Sequence, residues 1–387
     1  MTTSVAGRWE ALDILRGLSV IFMLLNLVPG SWSQQYSWLK HVQWEGGHAV
    51  DMVAPVFLFC IGAAAPFALR SRLRGGTAKG AIARHILLRS LMLVAIGLAL
   101  NIYPDFDWAH TRIPGVLQRI GLTYGLAALF LLALAQRGED GSVRFPIAPV
   151  AGAIGFILVS YWLLLYAVPS PGFGAPRFDP LGAWPSVVDR AVFTVPHLFK
   201  YFPINGQVIF DPEGILSTWP ALASVLMGAL ASLAHTGGWL KRPALQLAAA
   251  GVVMMVAAVA LSGICPIIKN LWTPTFALFS TGLALALLAA LTPLAGRPRA
   301  EPLLLPARLF GSNPLLAYVI CFALSPLFDL DLIRTADGPT NLRDAGQELL
   351  SRGLSPNLAS LTFGLVFLAL LGAFLWVCYR RRWFWRL

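Results

Sequence analysis

His41 stands in a short polar stretch, Trp38-Leu-Lys-His-Val-Gln-Trp-Glu-Gly-Gly-His-Ala-Val-Asp51, between two apolar runs long enough to cross a membrane. Imidazole changes charge near neutral pH, so at a bilayer surface it is a candidate acid, base or nucleophile. Asn26 precedes it near the end of the first apolar run, where an amide is costly unless paired. An amide and an imidazole converging at one depth suit carbonyl polarisation and proton transfer. Asp51 follows and can orient the ring, while Trp38 and Trp44 flank it. The plainer alternative is a solvated loop histidine between two interfacial tryptophans.

Other polar groups lie inside or beside apolar runs. In Thr111-Arg-Ile-Pro-Gly-Val-Leu-Gln-Arg119, Arg112 fits an outer interface, and Gln118 and Arg119 fall inside a span. A charge there needs an acidic partner or an anionic ligand such as a phosphate. Asp13 and Arg16 share a helix face and predict an ion pair. Asp211-Pro-Glu213 predicts a helix start, with Asp as N-cap and Pro at the first helical position. Glu213 is also a candidate to take a proton, bind a sugar hydroxyl or orient His41. Lys269 and Asn270 fit snorkelling and capping at the start of another span. Asn313-Pro314, with Tyr318, predicts a broken helix of the kind that lines cavities or merely kinks. His48, His85, His110 and His235 read as interface residues.

The elements that must position these groups follow from composition. The 387 residues are 57% hydrophobic and 12% charged, against about 25% charged in soluble domains. That argues for an all-α membrane protein. Ten apolar runs, roughly 14–30, 49–69, 86–103, 113–135, 146–168, 214–235, 244–262, 271–293, 305–325 and 356–379, are long enough to span as helices. The first reads as a retained span rather than a signal peptide. The net charge of +11 reads as topology rather than nucleic-acid binding. Arg70, Arg72, Arg74, Lys79 and Arg84 follow the second run, and Arg137 and Arg144 the fourth. Lys241 and Arg242 follow the sixth, Arg297 and Arg299 the eighth, and Arg380, Arg381 and Arg382 the tenth. Basic residues so placed predict both termini in the cytoplasm and His41 on the far side.

The chain reads as a single domain, 1–387. Two long outer connections, 169–213 and 326–355, are expected to cover the site; the first holds His197, Tyr201 and Asn205 beside Trp184 and Phe202, the second Asp329, Asp331, Asp337 and Asp344. Cys60, Cys265, Cys321 and Cys378 form no CxxC pair and no zinc spacing, so neither a disulfide framework nor a metal is expected. Walker, GxGxxG and GxSxG sequences are absent.

Taken in order, Asp13-Ile-Leu-Arg-Gly17, Asn26, Leu39-Lys-His-Val-Gln-Trp-Glu-Gly46, Asp51 with Pro55-Val-Phe-Leu-Phe59, Arg112-Ile-Pro-Gly-Val-Leu-Gln-Arg119, Asp211-Pro-Glu-Gly-Ile-Leu216, Lys269-Asn-Leu-Trp272 and Asn313-Pro-Leu-Leu-Ala-Tyr318 resemble the heparan-α-glucosaminide N-acetyltransferase family and its bacterial relatives. The resemblance runs through nearly all the chain. It implies a multi-pass bundle, a homodimer, and transfer of an acetyl group from cytosolic acetyl-CoA to a glucosamine-type amine across the membrane. His41 matches the family's active-site histidine and Asn26 its associated asparagine. The expected location is a bacterial inner membrane. The animal enzymes carry a large soluble domain ahead of the first span that has no counterpart in this sequence, an expectation against heparan sulfate itself as acceptor. Arg84, Arg89, Gln118 and Arg119 are the expected contacts for CoA, with its phosphates on the arginines. Asp51, Glu213, Trp44 and Asn313 are expected to orient groups or bind substrate. A sugar or oligosaccharide transporter is the alternative reading.

Overall fold

Apolar runs this long leave no backbone group free to meet water, and each folds as a helix whose polar groups bond internally. The computed structural model describes residues 9–139, 141–200, 203, 206–335 and 338–385. The helices, in order, are α1 (Glu10–Leu27), α2 (Val53–Arg74), α3 (Lys79–Ile102), α4 (Val116–Leu134), α5 (Ile147–Ala167), α6 (Trp184–Phe193), α7 (Thr218–Thr236), α8 (Pro243–Ala260), α9 (Pro274–Leu291), α10 (Glu301–Ser312), α11 (Pro314–Leu324), α12 (Leu342–Ser351) and α13 (Pro356–Arg380). Two short antiparallel hairpins pair Gln136–Arg137 with Val143–Arg144 and Ile333–Thr335 with Gly338–Thr340. Proline sits in the first turn of α6, α8, α9, α10, α11 and α13, where its missing N–H removes no helical bond.

Among the described residues, eight helices are long and apolar enough to cross a membrane, and the α10–α11 pair is a ninth if it counts as one broken span. Each of the ten apolar runs contains a helix. The helix of the first run, α1, begins ahead of that run and holds Glu10, Asp13 and Arg16 among its 18 residues. The architecture is that of an all-α, polytopic membrane protein. The run 305–325 is not continuous: α10 and α11 are bent by 79°, because Pro314 cannot continue α10 and Asn313 leaves helical geometry (φ −133°, ψ 54°).

The contacts divide the chain into two units. One comprises the residues up to Leu12, Gln43–Gly46 and Pro55–Pro293. Within it α3 and α4 run antiparallel, Gly97 lying against Leu117 and Gln118, and Gly125 against Ser90. A methyl group on Gly62 of α2 would meet the Val225 carbonyl of α7 at 1.7 Å, so only glycine permits that approach. The other unit comprises Asp13–Val42, Gly47–Ala54 and Leu294–Leu387. There the expected Asp13–Arg16 ion pair forms at 2.8 Å. Arg16 also donates twice to the Gly311 carbonyl at the end of α10. Buried Arg343 of α12 holds Asp329 at 2.6 Å and donates to the carbonyls of Pro29 and Ser325.

Candidate functional site

The His41 corner lies in the second unit and is assembled from neighbouring sequence. A 3-10 turn over Ala49–Met52 brings Asp51 back under the loop. One Asp51 oxygen lies 2.7 Å from His41 Nδ1. The other accepts the backbone N–H of His48 (2.8 Å) and of Val42 (3.2 Å). Asp51 is fully buried, and these three contacts satisfy it. An ionised carboxylate only accepts, so the Nδ1 facing it carries a proton. The imidazole keeps 27% of its side-chain surface exposed. The carboxylate fixes the orientation of the ring, an arrangement that could serve a base or a nucleophile. Asn26, near the end of α1, donates through Nδ2 to the Leu39 carbonyl at 2.6 Å. A primary amide has two such hydrogens, so the second suits a developing oxyanion. His48, expected as an interface residue, latches the loop, its Nδ1 lying 2.7 Å from the Lys40 carbonyl.

The first unit holds a second polar centre, built from distant sequence. Arg112 forms a bidentate pair with Asp211 (Nε to Oδ2 2.8 Å, Nη2 to Oδ1 2.5 Å) and contacts Glu213 at 2.5 Å. The Phe199 ring lies 4.3 Å from its guanidinium carbon. Burial pulls the Arg112 pKa down, but Asp211 and Glu213 outweigh it and raise it. For Glu213 burial pushes up and Arg112, Arg119 and Lys269 prevail, holding the carboxyl below its usual range. Arg119 is buried, donates through Nη2 to Ser217 Oγ (2.5 Å), and lies over the Trp272 ring at 4.9 Å.

Several expectations change here. Asp211-Pro-Glu213 does not start a helix; α7 begins at Thr218, and residues 211–217 turn instead. A buried guanidinium has a stronger claim on both carboxylates than a helix terminus has. Glu213 is a partner of Arg112, and Asp51 is the carboxylate that meets His41. Lys269 and Asn270 do not cap α9, whose N-cap is Thr273. Asn270 Nδ2 donates to the Gln43 carbonyl at 3.0 Å, and Gly46 N to Ile267 O at 2.8 Å, fixing the end of the Lys-His-Val-Gln-Trp segment. Trp44 Nε1 donates to Phe178 O (2.7 Å) with its ring edge-to-face on Phe210. Gln118 braces the Ile113 carbonyl at 3.0 Å. Asn313 spends both ends of its amide on the C-terminal backbone, at Trp383 O and Trp385 N. His235 stacks on Trp9 at 4.3 Å.

The three arginines expected on CoA phosphates are not brought together. Arg119 lies at the level of Gly97, about 20 Å along the helix axis from Arg84 by helical rise. Arg84 is exposed, and Arg89 lies over the Tyr124 ring at 4.7 Å. Asp189, in the long connection 169–213, was not anticipated. It is fully buried on α6 and accepts the Ile215 N–H at 3.0 Å. Burial and then Asp211 push its carboxyl up to about 7. Its only signal in sequence is the Trp-Pro helix start just before it. Tyr201, Phe202, Asn205 and Asp337 lie outside the described residues.

The model of the family described as heparan-alpha-glucosaminide N-acetyltransferase, catalytic, matches residues 8–182. The chain is 26% identical over 359 residues to heparan-alpha-glucosaminide N-acetyltransferase of Homo sapiens and 27% identical over 358 residues to that of Mus musculus. The chain is thus similar to the heparan-alpha-glucosaminide N-acetyltransferase family, over its first part by the family model and more widely by these two relatives. Each alignment covers 82% of this chain and 53% of the relative, so the chain spans about half the length of the curated relatives it matches. The part matched by the family model contains Asn26, His41, Asp51, Arg84, Arg89, Gln118 and Arg119; Asp189, Glu213 and Asn313 lie beyond it.

Proposed function

We propose that this chain is a membrane acetyltransferase that moves an acetyl group from acetyl-CoA to the amine of a glucosamine-type sugar. The carrying observation is the His41–Asp51 pair, which fixes the orientation of a half-buried ring. The amine nitrogen attacks the thioester carbonyl carbon as His41 Nε2 takes its proton. Asn26 donates its second amide hydrogen to the oxyanion. The carbon–sulfur bond breaks, and the thiolate leaves as free CoA with the proton returned by His41. In the two-step version Nε2 itself attacks, an acetyl-imidazole forms, and the amine then displaces it. Asp51 holds the ring and balances its positive charge in both. The reading places the enzyme in a bacterial inner membrane, dimeric as the resemblance implies, and the charge pattern supports CoA entering from the cytoplasm and acceptor from the far side. Among the basic residues, Arg84 and Arg89 near the start of α3 suit the CoA phosphates.

The test is a sealed liposome carrying the purified protein, acetyl-CoA inside and glucosamine outside. Free thiol inside together with N-acetylglucosamine outside is the expected result. No thiol release, or a folded His41→Ala protein working at the wild-type rate, would overturn the proposal. Uptake of labelled sugar without CoA would favour the transporter reading.

A further inference from the structure

Around Gly214 the first unit holds buried polar atoms that its own structure leaves unanswered. Arg119 is 3% exposed and its Nη2 is engaged, yet among the described residues its Nε and Nη1 have no hydrogen-bond partner. Asp189 is 0% exposed; its Oδ1 accepts the Ile215 N–H, yet its Oδ2 has none. Ser186, one turn earlier on the same face of α6 and 1% exposed, has an unpartnered Oγ.

These groups flank one residue. Arg119 Nη2 lies 3.4 Å from the Gly214 carbonyl, and a methyl placed on Gly214 would fall 1.8 Å from Asp189 Oδ2. A guanidinium and a carboxylate so placed are natural partners, yet they do not pair. Buried polar atoms are almost always satisfied, so such exceptions call for a group that satisfies them. Neighbouring side chains do not supply one. Arg190 points both its Nη atoms at the carbonyls of Ile209 and Leu181. The Tyr161 hydroxyl donates to Leu271 O at 2.6 Å, and Asp211 and Glu213 are held by Arg112.

We infer that Arg119, Asp189 and Ser186 form a clamp for a neutral substrate group that accepts from the guanidinium and donates to the carboxylate: an amide or a pair of hydroxyls. Charge favours neutral over anionic. An ionised Asp189 oxygen accepts hydrogen bonds and repels a phosphate, whereas a neutral group can meet both it and the guanidinium. Two sources offer this chemistry, the amides of the pantetheine arm of CoA and the hydroxyls of the sugar. The choice of those sources rests on the transfer reading; the clamp geometry does not.

The experiment is direct binding of CoA and of glucosamine, each alone, to the detergent-purified full chain. Asp189→Asn, Ser186→Ala and Arg119→Gln are compared with wild type. The first two proteins are expected to bind one probe about 10–100-fold more weakly and the other within about twofold. Loss for CoA assigns the clamp to pantetheine, and loss for glucosamine assigns it to the acceptor. Arg119→Gln has the larger effect if it folds; the conclusion does not depend on it. If wild type binds both probes and Asp189→Asn and Ser186→Ala bind both equally well, the clamp alone is wrong. If wild type binds neither, the transfer reading falls and takes the clamp with it.

Discussion

Asp51 and Asp211 are both buried carboxylates, and they are neutralised in different ways. Asp51 is answered by one imidazole and two backbone N–H groups, all within ten residues of chain. Asp211 is answered by a guanidinium about a hundred positions away, shared with Glu213. The first arrangement engages only one of the two ring nitrogens in the pair. The second consumes its polar atoms in holding segments together, and its neighbours Arg119 and Asp189 are the ones left with capacity. A short-range pair tolerates one member facing solvent, because the backbone still satisfies the carboxylate. A long-range buried pair does not, because losing either member strands a charge.

The sharpest way to break this contrast is at the corner. His41→Ala is expected to lower acetyl transfer by about 1,000-fold or more, measured as thiol release, with little change in melting temperature. Asp51→Asn is expected to lose about 100- to 10,000-fold, since an asparagine can no longer hold the imidazolium or fix the Nδ1–H tautomer. If Asp51→Asn is as active as wild type, the corner is structural and the contrast disappears.

Arg112→Ala tests the other side. Removing the guanidinium leaves Asp211 and Glu213 buried without their partner, and stability should fall by about 3–5 kcal/mol. Thermal unfolding in detergent reads this directly. Adding Asp211→Asn to Arg112→Ala should recover part of the loss, because one stranded charge is removed. A loss below about 1 kcal/mol for Arg112→Ala would mean that water reaches the pair.

How much of this was legible in the sequence divides along the same line. The helices came from run length and composition, which local chemistry decides. The His41–Asp51 relation was open to reading because ten residues separate the two groups, and a single turn closes that distance. Asp211-Pro-Glu213 misled because its local pattern is a good helix start, and only the fold brings Arg112 to it. Arg119 was expected beside Arg84 and Arg89 on the basis of charge alone, whereas the antiparallel α3–α4 hairpin puts it at the other end of α3. Asp189 stayed invisible because burial, not residue type, makes it unusual.

That burial has a measurable sign. Asp189 has a folded-state pKa of about 7, above the ordinary aspartate value near 3.9. Below both values the two states carry the same proton and folding is unaffected. Between them the folded chain keeps a proton the unfolded chain has released, so stability falls as pH rises and levels off above about 7. Asp189→Asn should therefore be more stable than wild type at pH 8 by about 1–3 kcal/mol. The margin should shrink toward zero at pH 4. A margin that is constant with pH would show that Asp189 is ionised throughout and paired in a way the geometry does not reveal.

The smallest effect is expected at His48. Its Nδ1 contact with Lys40 O is exposed, and its backbone N–H, which does the work on Asp51, survives any side-chain change. His48→Ala should cost about 0.5–1.5 kcal/mol and slow transfer less than about tenfold, by loosening the loop that carries His41 rather than by removing a reacting group. The informative readout is the split between parameters. A looser loop lowers kcat while leaving KM for CoA near its wild-type value, because misplacement of an aligned group is felt in the reacting geometry. If His48→Ala instead approaches the loss seen in His41→Ala, the imidazole at position 48 takes part in proton transfer, and the corner is a two-histidine site rather than one histidine on a carboxylate.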